Sequence, residues 1–244
     1  MGIKYRVNEK FFNTWGREMA YTLGYLYADG SLEDASYLRG KYVRVTSVEQ
    51  HNILKLKKWL GSRHTVVAMK PSWPNGKTCY QLRIGSHKLY DRLIALGLYP
   101  NKSLTIKFPR IPRAYLNYFI LGYFDGDGCV YLYTTKGEKQ KRIVKKLSVI
   151  FTSGSRDFLY GLQSILRERI GLRREKIYRS QRAFQLRLDT GDSIRIFKFL
   201  YRNVDHGIFL KRKLCVFLKY FTLRPIRVDA DIEKILKKYG HVVK

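Results

Sequence analysis

Cysteine is scarce in this chain, which has three, Cys79, Cys129 and Cys215, among 244 residues. They are odd in number and far apart, and this excludes both a disulfide framework and the paired spacing of a zinc-binding motif. None of the five histidines stands at metal-ligand spacing from a cysteine or another histidine. We therefore expect a reducing environment and no metal site built from thiolates and imidazoles.

Long apolar runs are also missing. The first residues, MGIKYRVNEKFF, contain no apolar core of a signal peptide, and the longest apolar run lies near residues 118–124. That run is far shorter than the roughly 20 residues that cross a bilayer as a helix. We expect a soluble, intracellular protein with no membrane partner. The sequence does not distinguish the cytoplasm or nucleoid from an organelle matrix.

Acidic residues are also few. The chain has 19 Asp and Glu against 48 Lys and Arg, which gives a formal net charge of +29. The basic residues are spread over both halves, in LRGKYVR (38–44) and KGEKQKRIVKK (136–146), so they do not form a basic tail. An excess of this size favours a polyanionic partner. Nucleic acid is the first candidate, a ribosomal or membrane-surface protein is the alternative, and a merely solvated basic face is the least favoured reading.

Two short segments of the chain resemble each other: TLGYLYADG at 22–30 and ILGYFDGDG at 120–128 are identical at five of nine positions. Each is an apolar stretch of helical length that ends in Asp-Gly, and the two acids, Asp29 and Asp127, stand 98 residues apart. The tripeptide Gln-Leu-Arg also recurs, at 81–83 and 185–187. Internal repeats set the architecture of a chain, so the sequence predicts two copies of one unit.

Hydrophobic periodicity predicts the same order of elements in both copies, helix–strand–strand–helix–strand–strand–helix. In this interpretation Ser47 caps the second helix, and Pro112 opens the first helix of the second copy. The fold class is α+β, with two pseudo-symmetric αββαββα units at residues 1–100 and 114–225. A linker at 101–113, stiffened by prolines, joins them, and residues 226–244 form a C-terminal extension.

Small residues recur at helical spacing inside both repeated segments. Gly24 and Ala28 lie four residues apart, as do Gly122 and Gly126, so each pair stacks on one helix face. Glycine inside a helix costs roughly 1 kcal/mol relative to alanine. Two helices that both accept this cost are expected to pack on each other with their backbones unusually close.

Each of these helices then ends in an aspartate, where the helix dipole disfavours negative charge. If the helices pair in parallel, Asp29 and Asp127 face each other, and two close carboxylates do not both stay ionised without a cation. A divalent metal bound between them resolves both penalties. Ligands that are all oxygen indicate Mg²⁺, with Mn²⁺ as a substitute. The alternative is that each Asp-Gly is only a turn that ends a helix.

TLGYLYADG and ILGYFDGDG resemble the two motifs of a single-chain LAGLIDADG homing endonuclease, and the repeated αββαββα order resembles that family's fold across nearly the whole chain. The resemblance implies that Asp29 and Asp127 bind the catalytic ions, with the backbone carbonyls of Ala28 and Gly126 as auxiliary ligands. It also implies that Ca²⁺ supports DNA binding without efficient cleavage. The first motif departs from the consensus at Tyr27, where the second has Asp125.

The resemblance also implies a lysine near the close of each unit, at the scissile phosphate. Lys102 and Lys213 are the best matches, with Lys211 and Arg212 as competitors of Lys213. Such a lysine can stabilise charge on the pentacovalent phosphate or perturb the attacking water. Family position further implies that Ser47 and Ser153 organise solvent, although both are equally explained as helix caps.

In the family, the two four-stranded sheets form a saddle whose concave face reads the DNA major groove. Strand alternation predicts which side chains share that face, because the side chains beside them are apolar. Arg and Gln suit bidentate contacts with guanine and adenine, while basic loop residues mostly neutralise phosphates. The candidate DNA-binding residues are Tyr42, Arg44, Thr46, Gln81, Arg83, Tyr131, Tyr133, Gln185 and Arg187 on the strands and Lys139, Lys141 and Arg142 in a loop.

The sequence therefore favours a monomeric, site-specific endonuclease that breaks both strands of a long, non-palindromic DNA target by metal-dependent hydrolysis. The resemblance implies that the cut leaves short 3′ overhangs. No protein partner is implied. One alternative is an RNA maturase of the same fold, and another is a non-cleaving DNA-binding derivative, which the intact acids of both motifs disfavour. An intein setting is disfavoured because no splicing-domain sequence brackets the repeats. The target sequence, the host genetic element and the organism cannot be read from these residues.

Overall fold

The computed structural model describes residues 5–38, 40–71, 74, 76–136, 143–173 and 175–242. The predicted αββαββα order is present twice. The first copy consists of α1 (Arg17–Asp29), β1 (Gly30–Ala35), β2 (Gly40–Ser47), α2 (Gln50–Trp59), β3 (Val66–Met69), β4 (Cys79–Gly85) and α3 (His87–Ala95). The second consists of α4 (Leu116–Asp127), β5 (Gly128–Lys136), β6 (Ile143–Ser153), α5 (Arg156–Ile170), β7 (Glu175–Ser180), β8 (Ala183–Leu188) and α6 (Thr190–Tyr201).

Two further helices follow the second copy, α7 (Lys211–Leu223) and α8 (Ala230–Lys238). The sequence interpretation assigned neither. The start of α8 has a clear physical cause, because the Asp229 side chain accepts a hydrogen bond from the backbone N–H of Ile232 at 3.0 Å. Its apolar side packs on α6 and buries Ile232, Ile235 and Leu236. None of the helices in the described part of the chain is long and apolar enough to cross a membrane.

Each copy contains one antiparallel four-stranded sheet, with strand orders β1-β2-β4-β3 and β5-β6-β8-β7. The hydrogen-bond registers of the two sheets correspond. Val45 pairs with Gly30 and Leu82 in the first sheet, and Phe151 pairs with Gly128 and Leu186 in the second. Equivalent positions in the two sheets can therefore be matched residue by residue.

One face of each sheet forms part of a hydrophobic core. In the first sheet Val43, Val45, Leu82 and Ile84 are buried, and α2 and α3 pack against the strands that carry them. In the second sheet Leu147, Val149, Phe151, Leu186 and Leu188 are buried, and α5 and α6 contact their strands. The opposite faces carry the polar and aromatic residues, as alternation predicts for a half-buried sheet.

The chain divides into two compact units, Met1–Gly126 and Asp127–Lys244. Nearly all of α4 belongs to the first unit because it packs on α1. The domain boundaries drawn from the sequence repeats stay a prediction.

The packing of α1 on α4 depends on its glycines. A Cβ at Gly24 would overlap the carbonyl oxygen of Phe119 and lie 3.0 Å from the backbone nitrogen of Tyr123. A Cβ at Gly122 would meet Tyr21 and Tyr25 in the same way. Gly24 meets Phe119 and, further along both helices, Ala28 meets Gly126, so the helices run parallel. The predicted backbone-to-backbone packing is confirmed.

Two predicted helix starts are wrong. α2 begins at Gln50, its N-cap is Glu49, and no side chain caps it. Ser47 lies outside the helix, where its hydroxyl accepts from the Glu49 N–H at 3.1 Å. Pro112 precedes a short 3₁₀ turn, Arg113–Tyr115, and α4 begins only at Leu116.

Gly24→Ala and Gly122→Ala should each lower the free energy of unfolding by about 1–3 kcal/mol or more, because the new methyl group overlaps a backbone carbonyl that cannot rotate away. Urea unfolding followed by circular dichroism measures the change. Gly16→Ala is the matched control, since no atom lies within 4 Å of its added Cβ. Equal stability of all three variants would mean that α1 and α4 do not pack through these faces.

Candidate nucleic-acid interface and catalytic site

Both motif helices end at the predicted acid. Asp29 is the last residue of α1 and is partly exposed, and Asp127 is the last residue of α4 and is exposed. The chain enters the first strand of a sheet directly after each acid. Each carboxylate therefore lies at the negative end of a helix dipole, where a bound cation is favoured.

Space beside the Asp29 carboxylate is kept open by Gly126. A Cβ at position 126 would lie 3.3 Å from Oδ2 of Asp29 and would overlap the Cβ of Ala28. The available donors are a carboxylate and backbone carbonyls, which are the hard oxygen ligands that Mg²⁺ and Mn²⁺ prefer. The residues therefore fit the divalent ion that the motifs imply. Within the residues that the structure describes, no three His, Cys, Asp or Glu side chains cluster as a larger metal site.

Lys102 lies next to the first motif. Its side chain is 6% exposed, and its Nζ donates to the carbonyl oxygens of Tyr27 at 2.8 Å and Ala28 at 3.3 Å. The ammonium thus neutralises the carbonyl end of α1 one residue before Asp29. The Ala28 carbonyl, a candidate metal ligand, already accepts this longer hydrogen bond.

Lys213 occupies a similar position beside the second motif. It lies in the first turn of α7, is 2% exposed, and donates from Nζ to the Gly128 carbonyl at 2.6 Å, one residue after Asp127. Lys211 and Arg212 are exposed. Lys213 thus contacts the backbone next to a motif acid.

The two serines at the ends of β2 and β6 have different partners. Ser47 accepts a hydrogen bond from the Tyr25 hydroxyl at 3.0 Å, and burial followed by the charge of Asp29 raises the pKa of Tyr25. Ser153 accepts from the Ser155 N–H at 3.1 Å. Ser155, not Ser153, caps α5. Neither serine is a helix cap, and a role in organising solvent stays a prediction.

A buried polar relay crosses the α1–α4 contact and was not identified from the sequence. The Tyr21 hydroxyl donates to Oδ2 of Asp125 at 2.7 Å, and Nζ of Lys55 donates to the Tyr21 hydroxyl at 3.3 Å. Asp125 is 2% exposed. Burial lowers the pKa of Lys55 to about 8, and the charge of Asp125 opposes that shift. The one sequence feature that could have indicated this relay is the difference between the two motifs, which have Tyr27 and Asp125 at equivalent positions.

The exposed face of the first sheet holds the predicted side chains together. Tyr42, Arg44, Thr46 and Gln81 are partly exposed, and Arg83 is exposed. The Arg83 guanidinium lies 3.5 Å above the centre of the Tyr42 ring, and Gln81 donates to the Thr46 hydroxyl at 3.4 Å. The face also carries an acid that the sequence interpretation missed, Glu33 of β1.

The exposed face of the second sheet is richer in tyrosine. Tyr131, Tyr133 and Tyr178 are 51%, 44% and 41% exposed. Arg187 donates through Nε and Nη2 to Oε1 of Gln185, at 3.0 and 2.8 Å. The three tyrosines and Arg187, with Ser148 and Lys176, line a groove of about 490 Å³. The loop candidates Lys139, Lys141 and Arg142 lie outside the described residues.

Comparison with known proteins agrees with this geometry. Residues 114–199 match the family model of the LAGLIDADG-like domain. No curated protein sequence matches the chain. The resemblance to the LAGLIDADG family that the two motifs predicted is confirmed.

Solved structures with the same fold include DNA complexes. The meganuclease I-SmaMI bound to uncleaveable DNA matches with a TM-score of 0.59 and 13% identity, over 90% of this chain and 94% of that one. The homing endonuclease I-WcaI bound to its DNA recognition sequence gives 0.57 and 13%, over 84% and 91%. I-SmaMI bound to uncleaved DNA in the presence of calcium ions gives 0.54 and 13%, over 94% and 100%. At these identities the structures show a shared fold.

Removing the charge of the buried relay should change how stability depends on pH. Folding lowers the pKa of Lys55 from 10.5 to about 8, so between these values the unfolded chain binds more protons than the folded chain. Stability contributed by this group therefore rises with pH across that window. The free energy of unfolding of the wild type minus that of Lys55→Met should increase from pH 7 to pH 9.

Urea unfolding at several pH values measures this difference. Lys58→Met is the matched control, because Lys58 is an exposed lysine of the same helix. Its difference from the wild type gives the baseline at each pH. A Lys55→Met difference that follows this baseline would contradict the lowered pKa of Lys55.

Proposed function

We propose, from its LAGLIDADG-like domain and its meganuclease fold, that this chain is a site-specific endonuclease that hydrolyses both strands of a double-stranded DNA target. The observation that carries the proposal is the pair of motif helices, each ending at an aspartate whose neighbouring backbone carbonyl binds a buried lysine. A fold alone does not determine a function. These helix ends supply the chemistry that the fold positions.

Duplex DNA is the proposed substrate because of the charge and the exposed sheet faces. A net charge of +29 supplies non-specific attraction to phosphates. Arg44, Gln81 and Arg83 on one sheet, and Gln185 and Arg187 on the other, supply the planar donors that distinguish base edges in the major groove. I-SmaMI and I-WcaI, which share this fold, were each solved bound to DNA.

The target is proposed to be non-palindromic, because equivalent positions of the two sheets carry different side chains. The registers match Arg44 with Ile150 and Tyr42 with Ser148, whereas Arg83 matches Arg187. Two sheets with such different faces cannot read the same sequence. We propose that the chain acts as a monomer.

The catalytic ions are proposed to be held by the carboxylates of Asp29 and Asp127, with the carbonyls of Ala28 and Gly126 as further ligands. When bound, Mg²⁺ or Mn²⁺ would activate the attacking water and stabilise the leaving 3′ oxygen of each strand. Ca²⁺ should support binding only, and the calcium complex of I-SmaMI with uncleaved DNA is consistent with this.

The lysines act on the phosphate in this proposal. Their ammonium groups already lie near the acids, Lys102 on the Ala28 carbonyl before Asp29 and Lys213 on the Gly128 carbonyl after Asp127. A fixed positive charge there stabilises the additional negative charge that develops on the phosphate oxygens during hydrolysis.

An RNA maturase is the second candidate, and one observation favours it. Tyr131, Tyr133 and Tyr178 are exposed on a four-stranded sheet, and exposed aromatic side chains on such a sheet can stack unpaired RNA bases. The intact acids favour the endonuclease. Competition between duplex DNA and structured RNA of equal length distinguishes the two functions, and a preference for RNA would support the maturase.

Asp29→Asn and Asp127→Asn should each reduce double-strand cleavage about 100-fold or more, the scale expected when a group that stabilises transition-state charge is removed. Binding of the same DNA in Ca²⁺ should persist, because neither residue lies on a sheet face. The assay is cleavage of a randomised duplex library with and without Mg²⁺, followed by sequencing of the ends.

The control for these variants is Asp157→Asn, which removes an exposed carboxylate from the first turn of α5. It should cleave like the wild type. If both aspartate variants cleaved fully in Mg²⁺, the assignment of the catalytic acids would be wrong.

Lys102→Met and Lys213→Met should slow single-turnover cleavage by about 100-fold while weakening DNA binding much less. Methionine preserves most of the buried stem, so thermal melting is expected to show a folded protein. Lys219→Met, an exposed lysine of α7, is the control. A rate that stayed at the level of this control would move the role to another basic residue.

A further inference from the structure

Glu33 joins two arginines on the exposed face of the first sheet. Its Oε1 lies 2.8 Å from Nη1 of Arg44, and its Oε2 lies 2.9 Å from Nε of Arg83. Each carboxylate oxygen is therefore committed to a different guanidinium. The three residues lie on adjacent strands, because Glu33 is in β1, Arg44 in β2 and Arg83 in β4.

Further contacts fix the orientation of both arginines. Nε of Arg44 donates to the Ser31 hydroxyl at 3.1 Å, and the Arg83 guanidinium stacks on the Tyr42 ring at 3.5 Å. A planar guanidinium held in this way loses little freedom when it binds a planar partner. We name Glu33, Arg44 and Arg83 the acid-bridged triad.

Stability does not explain the triad. The side chains of Glu33, Arg44 and Arg83 are 27%, 41% and 45% exposed, and ion pairs this exposed contribute little to folding. Glu33 also places negative charge on a face that is proposed to approach a polyanion. In a chain with 48 basic residues, a carboxylate there lowers the affinity for phosphate.

The chemistry of the triad matches one kind of base pair. Arginine donates to O6 and N7 of guanine, and a carboxylate accepts from N4 of cytosine. A carboxylate oxygen has more than one lone pair, so Glu33 can hold an arginine and still accept from a base. No phosphate offers a donor to Glu33, and no A·T pair presents the guanine acceptors beside the cytosine donor.

We propose that Glu33 is a specificity-determining residue: the acid-bridged triad reads a G·C pair in the major groove, and Glu33 prevents Arg44 and Arg83 from binding phosphates without regard to sequence. This inference rests on the proposed function as a DNA-binding endonuclease. It adds an acid to a reading surface that was predicted from basic, amide, hydroxyl and aromatic residues.

The second sheet provides an internal comparison. Tyr131 occupies the position equivalent to Glu33, Ile150 that of Arg44, and Arg187 that of Arg83. Arg187 is held by the Gln185 amide oxygen and lies 5.2 Å from the centre of the Tyr178 ring. With a neutral partner, Arg187 keeps its full charge toward DNA. The first sheet should therefore discriminate bases more strictly at its arginine positions.

The test is Glu33→Gln, measured by fluorescence anisotropy in Ca²⁺ with a random-sequence duplex over a range of salt concentrations. Freed from the carboxylate, Arg44 and Arg83 become available to phosphates. Affinity for the random duplex should rise several-fold, and the slope of log K against log salt should steepen by about 1–2, since each neutralised phosphate contributes about −0.9.

Glu168→Gln is the charge-matched control, because it removes one exposed carboxylate from α5, away from the sheet faces. It separates the loss of the triad from the general gain of positive charge. A second measurement uses repeated binding selection from a randomised duplex library. Glu33→Gln should lose preference at one or more G·C positions that the wild type and Glu168→Gln both select.

A salt slope and a selected sequence that match those of Glu168→Gln would overturn the role of Glu33. Failure of the proposed function looks different, because the wild type itself would then select no duplex sequence. Circular dichroism melting of Glu33→Gln should match the wild type, since the triad is exposed. A lowered melting temperature would show that the triad is structural and would also overturn the proposal.

Discussion

The carbonyl oxygen of Phe119 lies where a side chain at position 24 would begin, and the carbonyl oxygen of Tyr21 lies where one at position 122 would begin. This contact between two helix backbones constrains the structure around it. It aligns α1 and α4 in parallel, brings Ala28 against Gly126, and requires that the polar groups trapped nearby be satisfied. Tyr21, Asp125 and Lys55 answer part of that requirement with a chain of hydrogen bonds that ends on Oδ2 of Asp125.

The ends of the two helices follow a common electrostatic rule. Each ends in a carboxylate although the dipole disfavours negative charge there, and each has a buried lysine on a nearby carbonyl. Lys102 comes from the segment after α3, and Lys213 comes from α7. A buried ammonium group is thus brought near each acid from a different part of its repeat, on the carbonyls before Asp29 and on the carbonyl after Asp127.

The parts of the structure that could be predicted from the sequence are those that local patterns determine. Alternation assigned Val43, Val45 and Leu82 to the core and Arg44 and Arg83 to the opposite face, and the repeated Asp-Gly ended both helices. Tertiary contacts determined the rest. Serine is a common helix cap, but the Ser47 hydroxyl instead accepts a hydrogen bond from the hydroxyl of Tyr25 in α1. The sequence predicts Lys55 to be a solvated lysine of α2, because its link through Tyr21 to the buried Asp125 depends on tertiary packing. Glu33 could not be identified because its significance depends on strand register, which brings it between two arginines from β2 and β4.

Because side chains alternate between the two faces of a strand, neighbouring residues are under different selective constraints. Residues such as Val45 and Leu82 hold the sheet to its helices, while their neighbours Arg44 and Arg83 face outward and contribute little to the core. Exchanging an outward residue therefore leaves stability nearly unchanged, typically within about 0.5 kcal/mol. With the outward faces reading DNA as proposed, a lineage carrying this protein can adapt to a changing recognition sequence by single substitutions, one strand position at a time, without first acquiring compensating changes elsewhere. The inward residues and the glycines of the helix pair have no such freedom, so the sheets should diverge fastest on their outward faces.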